Sequence, residues 1–155
     1  MKGNAKVLET LNLLLADELT AINQYMVHSE MCKNWGYAEL HEVIEKRAIT
    51  EMKHAEMHIG RLIFLEGRPI VSNLNPLHIG PDVLDQFRTD LAAEQGAVKG
   101  YNDAVKLAVD VGDNGTRAML ESILKDEEDH LDWLETQLDQ IEQIGIQNYL
   151  AQQVS

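Results

Sequence analysis

Glu51-Met52-Lys53-His54 and Glu127-Glu128-Asp129-His130 decide the fold, because each follows a lone glutamate, Glu18 or Glu94, by 33 residues. In an α-helix the first and fourth residues of such a tetrapeptide lie about 60° apart, so glutamate and histidine reach toward one point. The equal spacing adds a second constraint. If each set is an antiparallel helical hairpin, turning near Trp35-Gly36 or between Gly112 and Gly115, its glutamates stand about 25 Å from the turn and at the same height. Two hairpins packed together then carry four carboxylates and two imidazoles to the middle of a bundle.

The rest of the chain supports an all-α reading. Val7, Leu8, Leu11, Leu14, Leu15, Ile22, Tyr25 and Met26 recur at helical spacing without a proline. The pattern predicts helices over about 5–35, 37–66, 82–111 and 116–143 and a short one over 146–152, all in one domain spanning 1–155. Gly67 is the expected left-handed cap of the second helix, and Thr116 the expected N-cap of the fourth. Residues 67–80 hold two of the three prolines and show no period. They are long enough to run the length of a bundle, at up to about 3.3 Å per residue, so the expected architecture is an antiparallel four-helix bundle with a long crossover between its second and third helices. The short fifth helix is far too small to be stable alone and has to dock on this chain or a neighbour.

Composition sets limits on function. With 26 acids against 13 bases the net charge is −13, which repels nucleic-acid phosphates and anionic membranes and attracts cations. No apolar run approaches the roughly 20 residues of a membrane span, and no signal peptide is visible. The single cysteine, Cys32, provides neither a disulfide framework nor a cysteine-rich metal site, and fits the reducing cytoplasm. It is read as a packing residue.

The chemistry rests on acids where the pattern demands apolar side chains. Glu18 continues the stripe of Leu11, Leu14 and Leu15, and Glu94 that of Leu84, Phe87 and Leu91. One such glutamate is ordinarily solvated, but four buried together need counter-charge, and the nearby basic residues are too few to supply it. Metal cations would. Oxygen donors with one imidazole per metal favour iron or manganese over zinc, and four carboxylates nearly neutralise two divalent ions. In the expected geometry Glu51 and Glu127 bridge, Glu18 and His54 complete one metal, and Glu94 and His130 the other. Tyr25 and Tyr101, each seven residues after a lone glutamate, are placed to hydrogen-bond a ligand carboxylate or to pack in the core.

The opening Met1-Lys2-Gly3, Asp17 to Tyr25, Glu51 to Ala55, Phe64-Leu65-Glu66-Gly67, Asp126 to His130 and Gln147-Asn148-Tyr149-Leu150 together resemble bacterioferritin. The resemblance implies a ferritin-like fold, a shell of 24 subunits built from two-fold dimers, and a ferroxidase that oxidises Fe(II) with O2 or H2O2 at a di-iron centre. It also implies storage of ferric mineral inside the shell. Met52 lies between Glu51 and His54 but about 100° off their face, where simple packing would explain it. The resemblance makes it the axial ligand of a haem b shared by two subunits. Leu19, Ile22, Asn23 and Met26 are candidates for that pocket, and a small ferredoxin is the implied reductant for iron release.

Four positions depart from that family's common pattern. Lys46 and Thr50 stand where some members have His and Asp holding an extra iron on the inner surface, so that site is not expected here. Glu45 and His58 replace tyrosines found in some relatives. His28, His41 and His78 are read as surface or locally hydrogen-bonding residues, and Trp133 as packing on the core side of its helix. Two alternatives compete with the ferroxidase: a haem-bearing metal-binding protein without turnover, and a rubrerythrin-like di-iron peroxidase. The second lacks the Cys-x-x-Cys module it would want.

Overall fold

Asn4 starts the first helix by accepting hydrogen bonds from the backbone N–H groups of Lys6 and Val7. In the computed structural model, which describes residues 1–155, this helix, α1, runs Ala5–Asn34. Gly36, at φ 84°, turns the chain into α2, Ala38–Phe64. After the crossover Asp82 caps α3, Val83–Asp110, and Gly112, at φ 74°, makes the next turn. α4 spans Asn114–Ile144 and α5 Ile146–Ala151. No strand interrupts the helices, and α1 pairs with α2 as α3 pairs with α4, the two hairpins expected from the repeated spacing.

Two expected caps are corrected. Glu66, at φ 60°, takes the left-handed conformation assigned to Gly67. Gly67 is needed for close approach instead: a Cβ there would lie 2.7 Å from Leu8 Cδ2 and 3.3 Å from the Leu62 carbonyl oxygen. Asp113, not Thr116, caps α4. Its carboxylate accepts from the Thr116 N–H at 3.0 Å and from the Thr116 hydroxyl at 2.6 Å, while Arg61 of α2 donates to both side chains at 2.9 Å. An aspartate three residues ahead satisfies the first free N–H groups better than the shorter threonine, so the helix starts earlier.

The crossover is fastened to α1 by a polar stripe. Asn12 accepts from the Ile70 N–H, Thr20 from Asn75, Gln24 from His78 and His28 from Gly80, at 2.8 to 3.2 Å. These side chains recur at multiples of four residues, one face of the helix, and satisfy backbone groups that no secondary structure pairs. His28 is therefore no surface residue. It is fully buried, with Nδ1 3.0 Å from Asp90 Oδ1, and Gln24 donates to the same carboxylate at 2.8 Å.

Apolar packing falls into two clusters. Val7, Leu11, Leu62, Leu120 and Ile123 belong to one, and Leu40, Ile44, Phe87, Leu134 and Tyr149 to the other. Each fully buried leucine or isoleucine contributes about 1.5–3 kcal/mol, so the two clusters clamp the bundle on either side of its polar middle. α5 docks on its own chain: Tyr149 packs edge-on against Phe87 and donates to Gln137 at 2.7 Å, and the Gln153 carbonyl accepts from the Glu39 N–H at 3.1 Å. No helix is long and apolar enough to cross a membrane.

Candidate metal centre

Glu18 comes from α1, Glu51 and His54 from α2, Glu94 from α3, and Glu127 and His130 from α4, so every long helix contributes. The structure brings all six together between the two apolar clusters. Glu18, Glu51, His54 and Glu127 place one donor atom each within 4.8 Å of one another, and Glu51, Glu94 and His130 do the same. Glu51 is shared. All six are buried but for a slight exposure of His130.

Their unused atoms point to a missing counter-charge. Glu18 Oε2, Glu94 Oε2, Glu127 Oε1, His54 Nδ1 and His130 Nδ1 are buried without a hydrogen-bond partner. Orphaned buried acceptors cost about 1–3 kcal/mol each, and their convergence on two points is the donor set of two cations. These residues fit a pair of divalent metals.

The metal-free centre balances itself with protons. Burial and then the neighbouring Glu51 raise the Glu18 carboxyl well above the usual range, and burial with Glu94 pushes Glu127 up to about 11. Burial opposes protonation of His54, but Glu127, Glu18 and Glu51 around it push it up to about 12. Glu51 and Glu94 go the other way: burial disfavours their charge, yet Glu18 and His54 beside the first, and Glu127 and His130 beside the second, hold them below the usual carboxylate range. Glu18 thus keeps a proton beside ionised Glu51, and Glu127 beside ionised Glu94. Metal binding has to displace these protons.

Two flanking tyrosines cross between hairpins. Tyr25 of α1 donates to Glu94 Oε1 and Tyr101 of α3 to Glu18 Oε1, each at 2.5 Å. His58, one turn beyond His54, is buried and lies 2.6 Å from the Tyr101 hydroxyl, with its pKa pushed down to about 3 by burial and by His54. Trp133 stacks on the His130 ring and meets Phe87 edge-on. A cavity of about 730 Å³ leads inward from Asp17, Asn75 and His78 at the surface to Glu18, Glu51, Glu94 and Glu127.

Two residues at the centre escape a motif-based reading. Arg47 Nη2 lies 2.5 Å from Glu51 Oε1 and 2.9 Å from Glu127 Oε2, so one basic side chain reaches the acids, a single charge that is too little to neutralise all four. Its position four residues before Glu51 was the available signal. Asp126 Oδ2 lies 2.8 Å from His54 Nε2, a carboxylate orienting an imidazole across the bundle. Only its adjacency to Glu127 marked it.

The haem candidates lie elsewhere. Met52 faces out from α2, 43% exposed, and Met26 faces out from α1, while Leu19, Ile22 and Asn23 are half-buried. Cys32 is fully buried in the Phe87 cluster, its thiol pushed up to about 12 by burial and by Asp90, which makes it inert packing.

A bundle of two hairpins joined by a long crossover, with carboxylates and imidazoles from four helices at its middle, defines the ferritin-like class, and the ferritin-like domain family matches residues 8–144. Bacterioferritin of Rhodobacter capsulatus is 42% identical over 149 residues, covering 96% of this chain and 92% of that protein. Bacterioferritin of Mycolicibacterium paratuberculosis is 42% identical over 155 residues, covering 100% and 98%, and that of Brucella melitensis 40% over 149 residues, covering 96% and 92%. The chain belongs to the bacterioferritin family.

Proposed function

We propose that this protein is an iron-storing ferroxidase of the cytoplasm. Fe(II) is the substrate: two ions enter by the acid-lined cavity, each gives one electron to O2 or H2O2, and the ferric product moves into the interior of a 24-subunit shell. The observation that carries this reading is the sharing of buried Glu51 between two carboxylate and imidazole sets, which would hold two cations side by side to deliver a pair of electrons together.

The side chains divide the work. Glu51 belongs to both sets and, with Glu127 beside it, would bridge; Glu18 with His54, and Glu94 with His130, would terminate them. The protons on Glu18, Glu127 and His54 leave as the ions arrive. Tyr25 and Tyr101 fix one oxygen each of Glu94 and Glu18 and leave the other free.

The shell reading draws on apolar surface. Met26, Val27, Ile49 and Met52 are exposed on α1 and α2, and Ile63, Phe64, Val71 and Leu74 further along, apolar side chains that neighbouring subunits would cover. Met52 at this surface would supply a thioether to a haem b held between two copies, with Leu19, Ile22, Asn23 and Met26 of α1 as the candidate pocket. The haem would supply one-electron transfer to the mineral, with a small ferredoxin as donor. Met52→Leu is expected to lose the haem absorbance while the shell assembles and oxidises iron; haem retained in that variant would remove Met52 from the role.

Storage is tested by aerobic Fe(II) loading of the purified assembly in large excess, followed by sedimentation and electron microscopy. Soluble particles with electron-dense interiors are expected. Iron that precipitates outside the protein at the buffer rate would defeat the reading.

A further inference from the structure

Residues 76 apart occupy matching places in the two hairpins: Glu18 with Glu94, Tyr25 with Tyr101, Glu51 with Glu127, His54 with His130. The match fails at two positions beside the centre. Asp126, just ahead of Glu127, holds His54 Nε2 at 2.8 Å, but its counterpart ahead of Glu51 is Thr50, whose hydroxyl donates to the Lys46 carbonyl at 3.2 Å and leaves His130 without an equivalent anchor. Arg47, four residues ahead of Glu51, has as its counterpart Ile123, a fully buried core residue.

Arg47 is held firmly. Its side chain is 11% exposed, Nη1 donates to the Asp126 carbonyl at 3.1 Å, and Nη2 lies 2.5 Å from Glu51, 2.9 Å from Glu127 and 3.8 Å from Glu94. Arg47 takes Glu51 Oε1 and Glu127 Oε2, while the other oxygens of the same acids face His54 Nδ1 at 3.4 and 3.2 Å, and no contact joins Arg47 to Glu18 or His54. A guanidinium does not deprotonate in proteins, so unlike the shared protons it leaves only by moving. Charge decides when. One divalent ion plus Arg47 nearly offsets four ionised carboxylates; two divalent ions plus Arg47 exceed them.

We infer that the two metal positions are unequal by construction: the Glu18, Glu51, His54 and Glu127 position takes the first ion with Arg47 in place, and the Glu94 and His130 position fills only as the Arg47 guanidinium withdraws. Arg47 is a positioning residue, a resident cation that keeps the second position assembled and sets the order of loading. This inference rests on the two-metal reading above.

The test is titration of the metal-free protein with Co(II), followed by its visible absorption and by calorimetry, with no oxidation in the readout. The wild type is expected to bind one Co(II) per chain tightly and a second about 10- to 100-fold more weakly, the range set by loss of an anchoring partner to a metal-binding histidine. Arg47→Gln is expected to tighten the second step at least tenfold. Arg47→Lys, which keeps the charge and the fold but loses the planar fork, is expected to fall between the two. Thr50→Asp, restoring a carboxylate toward His130, is expected to tighten the second step with Arg47 intact. Two equal ions in the wild type, or a second step unmoved by both Arg47 variants, would overturn the inference and leave the two-metal reading standing. Absence of Co(II) binding would overturn that reading itself.

Discussion

Tyr101 of α3 donates its phenolic hydrogen to Glu18 Oε1 of α1 at 2.5 Å, from one hairpin to a buried carboxylate of the other. Because the ring is buried in the apolar cluster on that side, Tyr101→Phe keeps the packing and removes the hydrogen bonds to Glu18 and to His58. Co(II) affinity at the first position and the rate of Fe(II) oxidation are each expected to fall roughly tenfold, with little change in helical content. Unchanged binding and rate would make Tyr101 a core residue only.

Protonation gives the metal-free protein a characteristic pH profile. Glu18, His54 and Glu127 hold protons more tightly folded than unfolded, so their stabilisation is complete below the unfolded values of 4.5 and 6.5 and drains as pH rises toward about 11 for Glu127 and about 12 for His54. His58 has the opposite sign: its folded value near 3 means that stability is lost as pH falls below 6.5. Above that point only the proton-holding set acts. The thermal midpoint of metal-free protein is expected to drop from pH 6.5 to 9, at up to about 1.4 kcal/mol per pH unit for each proton lost. Saturating Co(II) removes those protons beforehand and should flatten the fall. A level profile without metal would contradict the proton assignments.

The crossover depends on a buried pair. His28→Leu removes the acceptor for the Gly80 N–H and leaves Asp90 with Gln24 alone, a loss of two buried hydrogen bonds at about 1–3 kcal/mol each. Chemical denaturation of the variant should show that loss. A variant within about 1 kcal/mol of wild type would mean that water takes over the histidine's role.

What the sequence made legible was whatever repeats. Six polar residues in two sets 76 apart announced four helices, their pairing and their polar middle, because burying an acid on an apolar stripe is costly enough to need a reason. Local competition hid the rest. Asp113 and Thr116 are both good caps, and only geometry shows that the aspartate wins. Gly67 and Glu66 were ordered by crowding from Leu8, a contact 59 residues away in sequence and invisible in a local pattern. His28 reads as a surface or locally hydrogen-bonding histidine until its place in the stripe of Asn12, Thr20 and Gln24 gives it the crossover to hold. Arg47 was missed because a basic residue four positions from a glutamate is ordinarily a surface ion pair.

The central claim, that six side chains at the bundle middle oxidise iron as a pair, is most directly tested by adding Fe(II) to metal-free protein in air and following the rapid absorbance change in wild type and Glu94→Ala. The expected result is a fast phase that saturates near two irons per chain in the wild type and is absent from the variant. Oxidation at the buffer rate in both proteins would contradict the claim and leave a metal-binding or electron-transfer protein in its place.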